Sequence, residues 1–217
     1  MPLKRRHFSA LAASSLGLGL ARVAQAQGAP VAVRDYVVVA NPSPPTAPAG
    51  TVDVVEFFSF ACPHCFEFEP TLEAWVARKP ADVRFHRSPV PFMQNHANFQ
   101  AMYFALDAMG LADTLPRKIF NAVHLQHQRL DKPEDIAAFA TANGVDATRF
   151  MALFNSFGVR TKVQQANALF EAENIDSMGV PTLAVQGRWL TSPAQARGAA
   201  QALAVVDSLA VQVRAGH

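Results

Sequence analysis

Residues 51–61, TVDVVEFFSFA, form a β-branched and aromatic run whose only charges are Asp53 and Glu56. So continuous a run predicts a strand covered on both faces rather than one with a wet side. It leads directly into CPHCFEFEPTLEAWV, where Pro63 suits the first turn of a helix and Phe66, Leu72, Trp75 and Val76 continue an apolar face. Pro70 falls inside that pattern and is expected to kink the helix. A strand buried on both sides that feeds a helix at once calls for sheet and helix in separate layers, which is an α/β architecture.

The rest of the chain fits one such unit with an interruption. Upstream, Tyr36 to Ala40 is a short β-prone run, followed by a proline-rich connector ending at Gly50. Downstream, DVRFHRSPV is a second strand candidate. From about Asn95 to Asp176 the pattern turns helical. Phe99, Met102, Tyr103, Leu106 and Met109 recur at spacings of three and four, with Gly110 as a stop. Asp131 and Glu134 fit a capping box that opens a helix containing Ile136 and Phe139. Phe150, Leu153, Phe154 and Phe157 form another stripe, and Val163, Ala166 and Phe170 a further one. Such stripes are what helix packing requires, so they are read as the core of this block. GVPTLAVQGRWLTSP then reads as two short strands turning at Gln186-Gly187, before a last helix from about Ala194 towards Val213. The expected organisation is an α/β domain from residues 27–94 and 178–217, interrupted by a helical insertion at 95–177.

The first 26 residues have a separate character. Lys4, Arg5 and Arg6 precede an apolar run from Phe8 to Leu20, too short to span a bilayer, and Ala24-Gln25-Ala26 has the small-x-small pattern of a signal peptidase site. Residues 1–26 are therefore read as a cleaved secretory signal. Arg5-Arg6-His7-Phe8 also resembles a twin-arginine export signal, so both export routes stay open. The segment carries four basic residues and no acidic ones, so its removal turns a formal charge of +2 into −2. The basicity belongs to the tag, and no basic face remains to argue for nucleic acid or anionic lipid. About 190 residues can bury a core without stapling.

An exported chain meets an oxidising compartment, yet this one holds two cysteines in all, Cys62 and Cys65. A zinc site needs about four protein ligands, or three plus water, and the pair supplies half of one. His64 is locked beside it, while His124 and His127 lie far off and read as a solvated helix surface. No metal is expected. A purely structural disulfide would gain little by closing so small a loop. Electron transfer explains spacing and location together. Residues i and i+3 at a helix start lie on one face, close enough for a disulfide to close. Cys62 would face unpaired backbone N–H groups and the positive end of the helix dipole, which favour its thiolate, and a protonated His64 would add positive charge. A stabilised thiolate leaves readily and favours the reduced form, so the pair should be a strong oxidant. Cys62, at the exposed end, is the expected reactive thiol, with Cys65 a turn inside.

Cys62-Pro63-His64-Cys65 after EFFSFA, together with Gly179-Val180-Pro181-Thr182 ahead of a strand, resembles the DsbA family of periplasmic thiol:disulfide interchange proteins. A low-pKa, oxidising CxxC is a known property of that family. The resemblance implies a thioredoxin-like fold with a helical insertion, and a protein that introduces disulfide bonds into exported proteins through Cys62 and Cys65. It implies that Pro181 is a cis-proline facing the disulfide, with the backbone of Val180 turned towards an extended substrate segment. Pro63, Phe66, Leu72 and the loop from Leu190 to Gln195 would supply apolar surface for varied peptides. Glu56, a carboxylate in an apolar strand, would assist proton transfer at the buried cysteine. It implies no bound cofactor, a monomer, reduced or unfolded exported proteins as substrates, and reoxidation by a DsbB-type membrane quinone reductase. Two rival readings are an exported isomerase or reductase of the same fold and a non-catalytic metal-binding or chaperone module.

Overall fold

The strand β2 (Val52–Phe58) is buried at all seven residues, and the sheet is built around it. The computed structural model describes residues 30–32, 34–91, 96–130 and 132–216; the signal segment 1–26 lies outside them. Helix α1 (Pro63–Val76) returns the chain to β3 (Val83–Pro89), which pairs in parallel with β2. A parallel pair needs such a crossover, whereas the remaining pairings are antiparallel. Strand β4 (Thr182–Val185) lies on the other side of β2, followed by β5 (Trp189–Thr191) and then β1 (Val37–Val38), giving the order β1-β5-β4-β2-β3. Gln186 and Gly187, at φ 54° and 59°, join β4 to β5 with the two positive-φ residues that a tight hairpin demands.

Between β3 and β4 the chain forms α2 (His96–Ala108), α3 (Pro116–His124), α4 (Pro133–Ala142), α5 (Ala147–Phe154) and α6 (Phe157–Ala172), and α7 (Ala199–Arg214) closes the chain. Three expected boundaries move. The stripe Phe150–Phe157 is split because Ser156 caps α6, its hydroxyl accepting from the Val159 N–H at 3.1 Å; Phe157 becomes a first-turn residue, 77% exposed. Helix α4 opens at Pro133 with Lys132 as its N-cap, and Asp131 lies outside the described residues. Helix α7 starts at Ala199 rather than near Ala194, since Ser192 Oγ accepts from the Gln195 N–H and Arg197 takes φ 62°, which holds the segment in turns. Pro70 sits inside an α1 that runs unbroken through it.

The pleat of β2 divides the core. Val52 and Val54 pack with Phe68, Leu72 and Trp75 of α1 and Leu203 and Val206 of α7, while Val55 and Phe57 face Ile175 and Leu190 on the opposite side. A third cluster joins Phe58 and Phe60 to Met102, Phe120 and Phe150 of the helical segment, and both cysteines belong to it. The end of β2 and the start of α1 thus lie where sheet and helical block meet.

Candidate active site

A tight turn carries the chain from β2 to α1: the Cys62 N–H donates to Ser59 O at 3.1 Å and the Ala61 N–H to Ser59 Oγ at 3.2 Å. Cys62 is the N-cap residue, extended at φ −85° and ψ 118°, and Pro63 takes the first helical position, where a missing N–H costs nothing. The cysteines are free thiols, and both are buried. Cys62 is only 2% exposed although the Pro63 and His64 that follow it are exposed, so the expected open helix end is in fact nearly closed.

The two sulfurs are chemically unequal. The Cys65 thiol donates to the Cys62 sulfur, and the backbone N–H groups of Cys65 and His64, with a small contribution from the His64 charge, overcome burial to bring Cys62 from 9.0 down to about 6. Cys65 goes the opposite way: burial first, then the neighbouring Cys62 sulfur and Glu56, push its thiol well above the usual range. His64 itself stands out from the surface, its side chain 75% exposed, with Nδ1 3.4 Å from Glu67 Oε2.

Glu56, at 1% exposure, points from β2 towards α1, so it is a fully buried acid. Arg87, its register partner on β3, places Nε 2.8 Å from Glu56 Oε2 and Nη2 2.9 and 2.7 Å from the two oxygens of Glu69 on α1. The Nε–H is not directed along the line to Glu56, whose oxygens find no hydrogen-bond partner among the described residues. Arg87 therefore gives its hydrogen bonds to Glu69 and only its charge to Glu56. Burial raises Glu56 to about 8; Arg87 opposes this, and Glu69 and Cys62 add to it. A carboxyl beneath the cysteines thus holds a proton at neutral pH.

The Val180–Pro181 bond is cis, and Cys62 Sγ lies 3.4 Å from Val180 O, to which it donates when protonated. Beside them a cavity of about 360 Å³ is lined by His64, Phe68, Met178, Val180, Pro181 and Pro193, among others. A larger one, about 640 Å³, lies in the helical block around Lys118, Asn121 and Asp135 and touches none of these residues. Two expectations are corrected. Leu72 is fully buried between α1 and the sheet, so it offers no surface to a substrate. His124 and His127 share no helix face: α3 ends at His124, which is half-buried with Nε2 2.8 Å from Phe60 O, while His127 lies in the following loop at φ 54°. No group of three His, Cys, Asp or Glu side chains among the described residues could hold a metal ion.

The family model of the DSBA-like thioredoxin domain matches residues 53–209. The chain is a member of the DsbA family. It is 40% identical over 200 residues to the thiol:disulfide interchange protein DsbA of Burkholderia cepacia, covering 92% of this chain and 93% of that one. It is 36% identical over 182 residues to DsbA of Pseudomonas aeruginosa, covering 84% and 85% of the two chains. The crystal structure of Pseudomonas aeruginosa DsbA superposes with a TM-score of 0.81 over 86% of this chain and 95% of that one, at 34% identity. Reduced DsbA1 from Neisseria meningitidis gives 0.77 over 87% and 97%, at 27% identity. The fold is thioredoxin-like, and the protein is a thiol:disulfide oxidoreductase that introduces disulfide bonds.

Sequence reasoning missed Arg87 and Glu69. A signal existed for Glu69, which lies four residues after Cys65 and so on the same face of α1. Arg87 needs the register of β2 against β3, which one strand cannot supply by itself.

Proposed function

We propose that Cys62 and Cys65 are the redox pair through which this DsbA-family protein oxidises reduced or unfolded exported proteins in the periplasm, after loss of residues 1–26. The observation that carries the reading is the placement of Cys62 at the N-cap of α1, 3.4 Å from Val180 O beside the cis Pro181, a setting in which its thiol is lowered to about 6 while burial pushes Cys65 up. In the oxidised enzyme a substrate thiolate attacks Cys62 Sγ. A mixed disulfide forms, the Cys62–Cys65 bond breaks, and Cys65 leaves with the electron pair. Cys65 must then take a proton, and the protonated Glu56 beneath it is the proposed donor. A second substrate thiolate attacks the substrate sulfur of the mixed disulfide and expels Cys62 as a thiolate, a good leaving group at its lowered pKa. The substrate has lost two electrons, and the enzyme holds them as one thiol and one thiolate. A membrane quinone reductase of the DsbB type would accept them by the reverse exchange.

Substrate would lie in the cavity beside the pair, with its backbone against Val180 and apolar side chains against Pro181, Met178 and Pro193. Pro63 and Phe66 extend that surface around the sulfurs. Equilibration of the pair in glutathione redox buffers tests the reading. A potential near that of glutathione or more oxidising is expected; a thioredoxin-like one would overturn it.

A further inference from the structure

A turn closed between Ser59 O and the Cys62 N–H leaves the carbonyl of its second residue, Phe60, outside the turn's own hydrogen bond. Beside a buried core such a carbonyl needs a partner. The partner comes from 64 residues further along: His124 Nε2 lies 2.8 Å from Phe60 O. A carbonyl can only accept, so this contact keeps a hydrogen on Nε2. The same imidazole stacks on the Phe66 ring, centroids 5.1 Å apart at 14°, and on Phe120 at 6.1 Å and 28°. Phe66 directly follows Cys65. One side chain, at the last residue of α3, therefore grips the turn before Cys62 and the residue after Cys65.

We propose that His124 is a positioning residue for the disulfide exchange. From the helical block it fixes the 59–62 turn against the first turn of α1, so that the N–H groups of His64 and Cys65 stay aimed at the Cys62 sulfur. This rests on the reading of Cys62 and Cys65 as the redox pair. Loss of the hydrogen bond frees the Phe60–Ala61 peptide to rotate and loosens the donors around the thiolate. The stacked ring alone cannot prevent that rotation, because it holds Phe66 and not the carbonyl.

The test compares His124→Ala, His124→Phe and His124→Gln in the full mature chain by glutathione equilibrium and by titration of the Cys62 thiolate absorbance. His124→Phe keeps a stacking ring and loses the donor; His124→Gln keeps a donor and loses the ring. Ala and Phe should move the equilibrium roughly three- to tenfold towards the disulfide and raise the thiolate midpoint, while Gln stays within about twofold of wild type. Should Ala fail to fold, the Phe and Gln pair decides. Folded variants that all match wild type, or a Phe variant that matches it while Gln does not, would overturn the role. A wild type with no thiol exchange at all would instead sink the redox-pair reading, and with it this one.

Discussion

At Cys62 the thiolate is stabilised mainly by donors of the motif itself, the Cys65 thiol and the N–H groups of Cys65 and His64, with the His64 side chain contributing least. Cys62 should therefore be the thiol that reacts. Alkylation of the reduced protein near pH 6.5 should label Cys62, and Cys65→Ser should accumulate mixed disulfides that Cys62→Ser cannot form; predominant labelling of Cys65 would reverse the assignment. The His64 ring is solvated and shares its charge with Glu67, which limits its effect. His64→Ser should still raise the Cys62 pKa and make the pair less oxidising, by no more than about tenfold or roughly 30 mV. Glu67→Gln should act in the opposite direction, since it removes a carboxylate that competes for the same positive charge. Matching shifts from both variants would show that charge at the motif is not the lever. Beneath the pair, Glu56 would give the proposed exchange a second titration. With a pKa of about 8 it holds its proton below that value and loses it above, so the proposed donor is present only on the acid side. Glu56→Gln should abolish an inflection near pH 8 in the rate of substrate oxidation and slow the neutral-pH rate by about a hundredfold where proton delivery to Cys65 limits it. An unchanged pH profile would remove Glu56 from the chemistry.

At the scale of elements, Arg87 ties β3 to β2 through Glu56 and to α1 through Glu69, with all three side chains buried. Removing one partner of such a set leaves charge without compensation, so Arg87→Met should cost about 3–5 kcal/mol in urea unfolding at pH 7. The loss should shrink near pH 4, where Glu69, its carboxyl raised by burial, joins the already protonated Glu56 in being neutral; a constant loss across that range would mean that Arg87 acts by packing alone. Much of this arrangement was legible in the sequence. The unbroken apolar run of β2, Pro63 at a helix start and the CxxC spacing each follow from local rules, and each places its residues where the structure has them. What local rules missed depends on register or on distant contact. Glu56 is visibly misplaced in an apolar strand, but its cation is fixed only when β3 aligns Arg87 beside it. His124 looked like a solvated helix residue because nothing nearby in sequence announces the Phe60 carbonyl that it meets. Leu72 shows the converse: its spacing marked an apolar face without saying that α1 turns that face to the sheet and α7.

For the whole molecule, the Cys62 thiolate links oxidation state to stability. Its pKa is about 6 folded against 9.0 when unperturbed. A depressed folded value contributes stability that is complete above the unfolded value and is lost as pH falls through the folded one. The contribution to the reduced form is then negligible at pH 5, roughly 1 kcal/mol at pH 7 and roughly 3 at pH 8. The disulfide cannot use those donors in the same way. It constrains the unfolded chain instead, and for a loop of only four residues that is worth no more than about 2 kcal/mol. Glu56 acts in the opposite sense, its raised value lowering stability as pH climbs between 4.5 and about 8, and only the part of that shift due to the Cys62 charge belongs to the reduced form alone. The reduced protein should therefore gain on the oxidised one by roughly 2–3 kcal/mol between pH 5 and pH 8, and should be the more stable form at pH 8. Urea midpoints of both forms at the two pH values measure this directly. A difference that does not change with pH, or an oxidised form still more stable at pH 8, would mean that thiolate stabilisation does not drive disulfides out of this protein and into its substrates.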